Sequence, residues 1–493
     1  MFKKFFLIST CLFFSVLAGL ASADIDIYKL PNDAGKLSIN GEVRFRYEYN
    51  DWFATQASSA NNDYWFMFNR TRLGLKFDSK YISAYVQGQY VHLIHLPDDG
   101  IAPAPAGALG VGPTYYASNT SQGKSPHGLV LRSAYIDLKN VFDSGVSTRL
   151  GRFDYSDGLE VITDDPKIMW VKRNRVGERL IGAFGYSAVT RAFDGFQVGY
   201  DNSTMNLTVM GSHPTQGGFE INASKDMEDI KLLSTSLTVK KSALVPNGEE
   251  RLFYIYYKDD RSKVPRVDNT GLVSDNADIE INTFGANFVG AYDFGPGQVD
   301  VMAWGAVQFG RWYQQDHKAF AATAEAGYQF TKVPWKPWLR VGYFVGSGDN
   351  DTNDGDHETF FQLLPTARSY ARFPIFNMMN NEDTSGMLII KPLDNLTVRS
   401  DFHLLRLKEK NDRWYSGAGA TREGGMIFGY AGRPSNNKKD LGKLLDVQVD
   451  YDIFKFLTLT AYYAHFFGDR VVQKIFTEKN DADFMYFETV FKF

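Results

Sequence analysis

The chain has 493 residues, a formal net charge of -4, 44% hydrophobic and 15% aromatic residues, 44 glycines and one cysteine. No basic domain stands out to bind nucleic acid, and a lone Cys11 gives neither a disulfide framework nor a cysteine metal site. Past the first two dozen residues no run approaches the 18 apolar residues of a membrane-crossing helix.

The chain opens with basic Met1-Phe2-Lys3-Lys4, continues with an apolar run from Phe5 to about Leu17, and then reads Ala18-Gly19-Leu20-Ala21-Ser22-Ala23. This pattern predicts a signal peptide over 1–23, cleaved after Ala23. Cys11 leaves with it. Residues 24–493 are then one exported, cysteine-free domain, and without Lys3 and Lys4 its 53 basic residues become 51, against 57 acidic ones.

The first alternating segments are Gly41–Tyr49 and Met67–Phe77. Side chains along a strand point alternately to two faces. Val43, Phe45, Tyr47 and Tyr49 therefore oppose Glu42, Arg44, Arg46 and Glu48, and Thr71, Leu73, Leu75 and Phe77 oppose Arg70, Arg72, Gly74 and Lys76. Similar segments follow, and eighteen strands are expected: 36–50, 63–78, 80–95, 128–141, 145–153, 192–201, 204–212, 230–241, 250–258, 277–292, 297–310, 319–331, 335–346, 384–391, 395–408, 440–453, 456–470 and 482–493. Their links alternate. Those around 51–62, 96–127, 154–191, 213–229, 259–276, 347–383 and 409–439 are long and polar or rich in Gly and Pro. Those around 79, 142–144, 202–203, 293–296, 392–394 and 454–455 are tight turns.

A soluble sandwich has no reason to keep this rhythm. A transmembrane antiparallel up-and-down β-barrel does, with short periplasmic turns, long external loops and both termini in the periplasm. The expected fold is all-β, the expected place the outer membrane of a Gram-negative bacterium. The apolar faces then meet outer-membrane lipid and lipopolysaccharide. The last segment ends in Phe491-Lys492-Phe493, like the terminal signal that such barrels present to the outer-membrane assembly machinery.

Inside such a barrel a passive channel needs weak, repeated contacts, and arginine suits carboxylates because its fork binds bidentately and stays charged. The candidates of lumen parity are Arg44, Arg46, Arg70, Arg72, Arg149, Arg340 and Arg399, with Asp401 and His403 on the face of Arg399. Arg152 joins them only if a bulge follows Gly151. Ladders of charge that stiffen the wall are the alternative role. The 154–191 loop is the expected constriction, carrying Asp157, Glu160, Lys172, Arg173, Arg175, Glu178, Arg179 and Arg191. Its apolar Leu180-Ile181-Gly182-Ala183-Phe184 is costly to expose and should pack inside the mouth; a surface flap is the other possibility. The 96–127 loop, with Ala102-Pro103-Ala104-Pro105-Ala106-Gly107, reads as flexible. Asp349, Asp351, Asp354 and Asp356 are a weak candidate for calcium, but the stretch misses the EF-hand spacing because Gly355 comes one residue late, and a solvated acidic loop is the favoured reading. No metal or cofactor is expected.

Enzyme motifs are missing. Gly123-Lys124-Ser125 lacks the earlier glycine of a phosphate-binding loop, since residue 118 is Ser. His357-Glu358 has no second histidine four residues on, and no G-x-S-x-G occurs.

Four segments carry a resemblance. They are Gly177-Glu178-Arg179-Leu180-Ile181-Gly182 followed by Arg191-Ala192-Phe193-Asp194-Gly195; Gly151-Arg152-Phe153; Gly346-Ser347-Gly348-Asp349-Asn350 leading through Thr359-Phe360 to Leu364-Pro365-Thr366; and Asp401-Phe402-His403-Leu404-Leu405-Arg406. Together and in this order they resemble the alginate-export family of outer-membrane barrels, although Phe153 stands where the family has Gln. The resemblance implies an eighteen-stranded monomer and passive passage, in the family's best-known member of the polyanion alginate through an arginine-rich lumen. An anionic oligo- or polysaccharide, or a small anionic solute, is thus the expected cargo. A small-solute porin without saccharide preference, and an adhesive or structural barrel acting through its loops, are the alternatives.

Overall fold

The computed structural model describes residues 24–493, apart from 56–59, 98, 110–122, 263, 269–270, 367–369, 376, 418 and 425–431. The expected signal peptide, residues 1–23, lies outside the described residues. Eighteen antiparallel strands close a barrel. The first nine are β1 (Lys36–Asp51), β2 (Asp63–Asp78), β3 (Ile82–Ile94), β4 (His127–Leu138), β5 (Val146–Phe153), β6 (Phe193–Asp201), β7 (Met205–Pro214), β8 (Ile230–Val239) and β9 (Gly248–Asp259). The rest are β10 (Ile279–Phe294), β11 (Gly297–Trp312), β12 (Gln315–Gln329), β13 (Trp338–Gly346), β14 (Asn381–Leu393), β15 (Leu396–Arg406), β16 (Asp440–Phe454), β17 (Leu457–Gly468) and β18 (Asp481–Lys492). Each neighbours the next in the chain, and β1 closes on β18 from Glu42 opposite Lys492 to Asp51 opposite Asp483. Closure leaves no open sheet edge, which is what lets strands cross hydrocarbon.

Every expected strand is present, with ends shifted by a few residues. The alternation of links has one exception. Trp312 and Gln315 pair across a two-residue turn at the external end, where the other external links are loops. The Ala102–Gly107 stretch is packed, contrary to its reading as flexible. Ala102 and Ala106 are buried, and Arg433 Nε donates to the Ala106 carbonyl at 2.7 Å.

The faces follow the pleat. Phe45, Leu73, Leu75, Ile136, Leu150 and Phe196 are exposed on the outside, while Arg44, Arg46 and Arg70 point in and are buried. The inner faces differ around the ring. From β9 to β14 they carry Phe253, Ile281, Val289, Met302, Trp304, Ala306, Trp338, Met387 and Ile389, all buried. From β1 to β5 and from β15 to β18 they are mixed, with Phe66, Phe68, Leu93, Phe466 and Phe484 buried toward the external end and arginines and carboxylates farther down the bore. An apolar inner wall facing water would be costly, at about 1.5–3 kcal/mol for each large side chain. Something must cover it.

Candidate functional site

The cover is the 154–192 link between β5 and β6. Asp165 caps a helix, its carboxylate accepting from the Lys167 and Ile168 amides at 2.9 and 3.0 Å, and Pro166 stands in the first turn where no amide partner is needed. Helix α1 (Pro166–Val171) runs into a wider π-turn over Lys172–Val176. Ile168, Val171, Lys172 and Arg175 share one face and are buried. That face packs on the inner wall, where Arg175 Nη2 sits 3.1 Å from Met387 Sδ; Trp170, from the other side of the helix, lies 4.7 Å from Trp338 between ring centroids. Arg173 and Asn174 occupy the opposite face.

Although the link leaves the external end of β5, it descends the whole bore. Asp165 Oδ2 pairs with Lys241 Nζ at 2.7 Å, and Lys241 belongs to the periplasmic turn after β8. Lys167 Nζ donates to Gln329 Oε1, at the periplasmic end of β12, at 2.8 Å.

Buried ion pairs fix it to the wall. Lys172 meets Glu249 at 2.5 Å, and Arg251 meets both Asp157 and Glu160 at 2.7 Å. Arg175 meets Asp401 at 3.0 Å and Glu325 at 3.4 Å. Arg340 neutralises Glu325 and Asp300 at 2.8 and 2.9 Å. Such pairs recover the cost of desolvation only with close geometry and further hydrogen bonds.

A second loop, 347–380, lies beside it. Leu364 donates to the Leu180 carbonyl at 2.8 Å and accepts from the Gly182 amide at 2.9 Å. Leu180, Ile181 and Phe184 are buried between these loops. Arg179 donates to Tyr370 Oη. Arg191 is buried and donates to the carbonyls of Pro365 and Ala420 at 3.2 and 3.0 Å, so it ties three loops together.

On the polar side, four arginines of β1 and β2 grip the returning arm. Arg44 donates to the Gly185 carbonyl at 3.0 Å, Arg46 to that of Tyr186 at 3.1 Å and Arg70 to that of Ser187 at 3.3 Å, while Arg72 donates to Thr190 Oγ1 at 2.9 Å. The charge of the first three is met in the wall. Glu488 takes Arg44 at 2.5 Å and Arg46 at 2.7 Å, and Glu42 takes Arg70 at 2.7 Å.

Below this clamp is a cavity of about 520 Å³. Arg44, Arg46, Arg173 and Arg372 line it, with Glu178, Asp450 and Glu488. Arg173 is exposed in it, with no ion pair or hydrogen bond among the described residues. Burial holds the Glu178 carboxyl above the ordinary glutamate range, although Ser156 Oγ donates to it at 2.5 Å. A vestibule of about 620 Å³ toward the chain termini shares Thr460 and Glu488 with the cavity and adds Arg72, Lys455 and Lys492.

The sequence-derived candidates thus fall into groups. Arg44, Arg46 and Arg173 reach the cavity, and Arg72 reaches the vestibule. Arg149 points inward, paired with Asp137 at 2.7 Å. Arg399 pairs with Asp401 at 2.5 Å. Arg179, Arg191, Arg340 and Asp401 are buried in the contacts just described. His403 is buried against Asp383, 2.7 Å away. Arg152 requires a correction. Both ladders of β5 run without a register shift, so it shares the outer face with Leu150 and pairs there with Asp194 at 2.5 Å.

The bulge lies in β4 instead. The register shifts between Gln87 and Gly88, so that Arg132 and Ser133 both turn inward. Arg132 meets Asp154 at the head of the loop. Strict alternation through Leu129, Leu131 and Ser133 conceals this; the shift of exposed apolar parity from Leu131 to Ile136 is the signal that betrays it.

The acidic loop turns on itself. The Asp351 amide donates to Asp349 at 3.1 Å, the Asp356 amide to Asp354 at 2.9 Å, and Asp356 pairs with Lys318 at 2.8 Å. Among the described residues no three His, Cys, Asp or Glu side chains group so as to hold a metal ion.

A family model described as alginate export matches residues 36–474. No curated protein matches the chain. Among solved structures, OccK9 (OpdG) of Pseudomonas aeruginosa is similar with a TM-score of 0.58 and 10% identity, covering 92% of this chain and 98% of its own. OpdK of the same organism, crystallised with vanillate, gives 0.55 at 9% identity, with the same coverage. OccAB4 of Acinetobacter baumannii gives 0.54 at 9% identity, again covering 92% and 98%. Identities this low speak for the fold alone.

Proposed function

Because the chain belongs to the alginate export family, and is thereby a porin-like channel of the Gram-negative outer membrane, we propose that its cargo is an anionic oligo- or polysaccharide, such as a uronate polymer, moving passively down its gradient. One observation carries this reading: Arg173 projects into the cavity without a carboxylate partner, beside Arg44, Arg46 and Arg372. An uncompensated guanidinium is free to take a carboxylate bidentately. Water in the bore keeps each contact weak, a few kcal/mol at most at an effective dielectric of ~20, so a polyanion can exchange from Arg173 to the vestibule cations Arg72, Lys455 and Lys492 without being trapped.

A porin without saccharide preference is the second reading. The pairing of Arg44 and Arg46 with Glu488, and of Arg70 with Glu42, favours it, since paired charges form wall and clamp and select little.

Planar-bilayer recording distinguishes the two. The expected result is a zero-current potential that favours anions, with current reduced by oligouronates and not by neutral oligosaccharides. Cation preference that oligouronates leave unaltered would overturn the saccharide reading. A folded barrel that passes no current would favour a structural or adhesive role. Contacts with outer-membrane lipid and recognition of the terminal Phe493 by the assembly machinery belong to the same proposal, with the chain acting as a monomer.

A further inference from the structure

The external rim of β14 to β17 carries an uneven charge. Arg406, at the outer end of β15, faces outward and is more than half exposed; Asp440 lies 3.5 Å from it and equally 3.5 Å from Arg470. Lys408 and Lys439 flank Glu409 at 3.1 and 3.5 Å. Lys443 is exposed on the outer face of β16, with no ion pair or hydrogen bond among the described residues. Glu382, the third carboxylate, stands opposite Arg406 in the strand ladder and accepts from Tyr343 Oη. With Asp469 beside Arg470 at the head of its helix, five cations therefore surround four acids. Elsewhere on this rim acids match or outnumber the cations, as where Arg311 is met by Asp278 and Glu280 and Lys318 by Asp356.

The same strand leads from this cluster into an apolar groove. Beyond Lys443 the outward side chains of β16 are Leu445, Val447, Val449 and Tyr451. Val449 and Tyr451, with Leu459 and Phe487, line a groove of about 730 Å³ on the outer face of the barrel. From Lys443 to Val449 is six residues, roughly 20 Å of strand, the reach of one long acyl chain. Basic residues beside a membrane surface attract anionic headgroups and fade within a Debye length, and the cluster sits at the end of the barrel that meets the outer leaflet.

We propose that this surface binds a phosphorylated, acylated glycolipid of the outer leaflet. Its phosphates lie among Lys443, Arg406 and Arg470, and an acyl chain follows β16 into the groove. The unpaired Lys443 supplies the first contact, and the phosphate shares Arg406 and Arg470 with Asp440.

Native mass spectrometry of the barrel in neutral detergent, with bisphosphorylated hexaacyl lipid A as probe, tests this. Wild type should retain it at a concentration at least about tenfold lower than the dephosphorylated lipid, given roughly additive contacts from several basic residues. Arg406→Ser/Lys443→Ser/Arg470→Ser should lose that preference, whereas Arg311→Ser/Lys318→Ser should keep it, with heat-modifiable migration reporting folding of both. Equal retention of the two lipids by wild type needs no variant and would overturn the proposal. So would a triple variant that binds as wild type does, or a deacylated bisphosphorylated disaccharide or inorganic phosphate competing as well as the intact lipid.

Discussion

Asp165 and Lys241 meet at 2.7 Å, and this pair joins a loop that starts at the external mouth to a turn at the periplasmic end. The pair is partly exposed, so its charge interaction is worth about 1 kcal/mol or less. Asp165 has a second task as helix cap, worth about 1 kcal/mol more. Lys241→Gln should therefore loosen the tip slightly, and Asp165→Ala more than Asp165→Asn, because Asn still caps. Current noise in single-channel records, or hydrogen exchange of the Ile168 amide, would rank the three. Equal effects of Asn and Ala would remove the cap from the account.

Arg173 and Arg152 make opposite forecasts for the same substitution. Arg173→Gln should move the zero-current potential toward cations and weaken block by oligouronates about tenfold, as expected for one lost charge-assisted contact. Arg152→Gln, on the outer face, should leave selectivity as it is. A selectivity change at Arg152 would contradict the register of β5.

Arg46 sits in the clamp between Glu488 and the Tyr186 carbonyl. Arg46→Met leaves buried carboxylate short of a partner, a loss of about 3–5 kcal/mol. The returning arm should then detach, giving larger and fluctuating currents together with a lower unfolding temperature. A quiet channel with altered selectivity alone would make Arg46 a solute contact and not a tether.

Glu178 gives the cavity a pH response. Burial raises its carboxyl above the ordinary glutamate value, so on acidification it takes up a proton before exposed glutamates do. The cavity loses one negative charge and anion preference should rise as pH falls through that range. The folded form holds this proton more tightly than the unfolded chain, so the same group favours the folded loop in acid and ceases to as pH rises through its raised value. Glu178→Gln should show the acid-state selectivity at pH 7 and a flatter profile below it.

The strands were legible because lipid imposes alternation on one face whatever the other face does. Phe45 and Leu73 had to be outside, and that placed Arg44 and Arg70 inside. What those arginines touch was not legible, since their partners at Gly185, Tyr186 and Ser187 are backbone carbonyls more than a hundred residues away, and carbonyls leave no mark in a sequence. Arg132 was lost to a one-residue bulge. The apolar inner faces of β9 to β14 were visible in Val301-Met302-Ala303-Trp304, where both parities carry apolar residues, a sign that something dry lies inside.

That inner wall also limits how such a barrel can diversify. In a channel with a wet bore, a loop can be shortened, lost or exchanged with little effect on the strands beneath it. Here Met302, Trp304, Trp338 and Met387 are buried under α1 and its flanks. Shortening the loop would wet them and invite the barrel to collapse or aggregate. Loop and wall form one inherited unit, and a grafted loop from a relative would need the matching strands to travel with it.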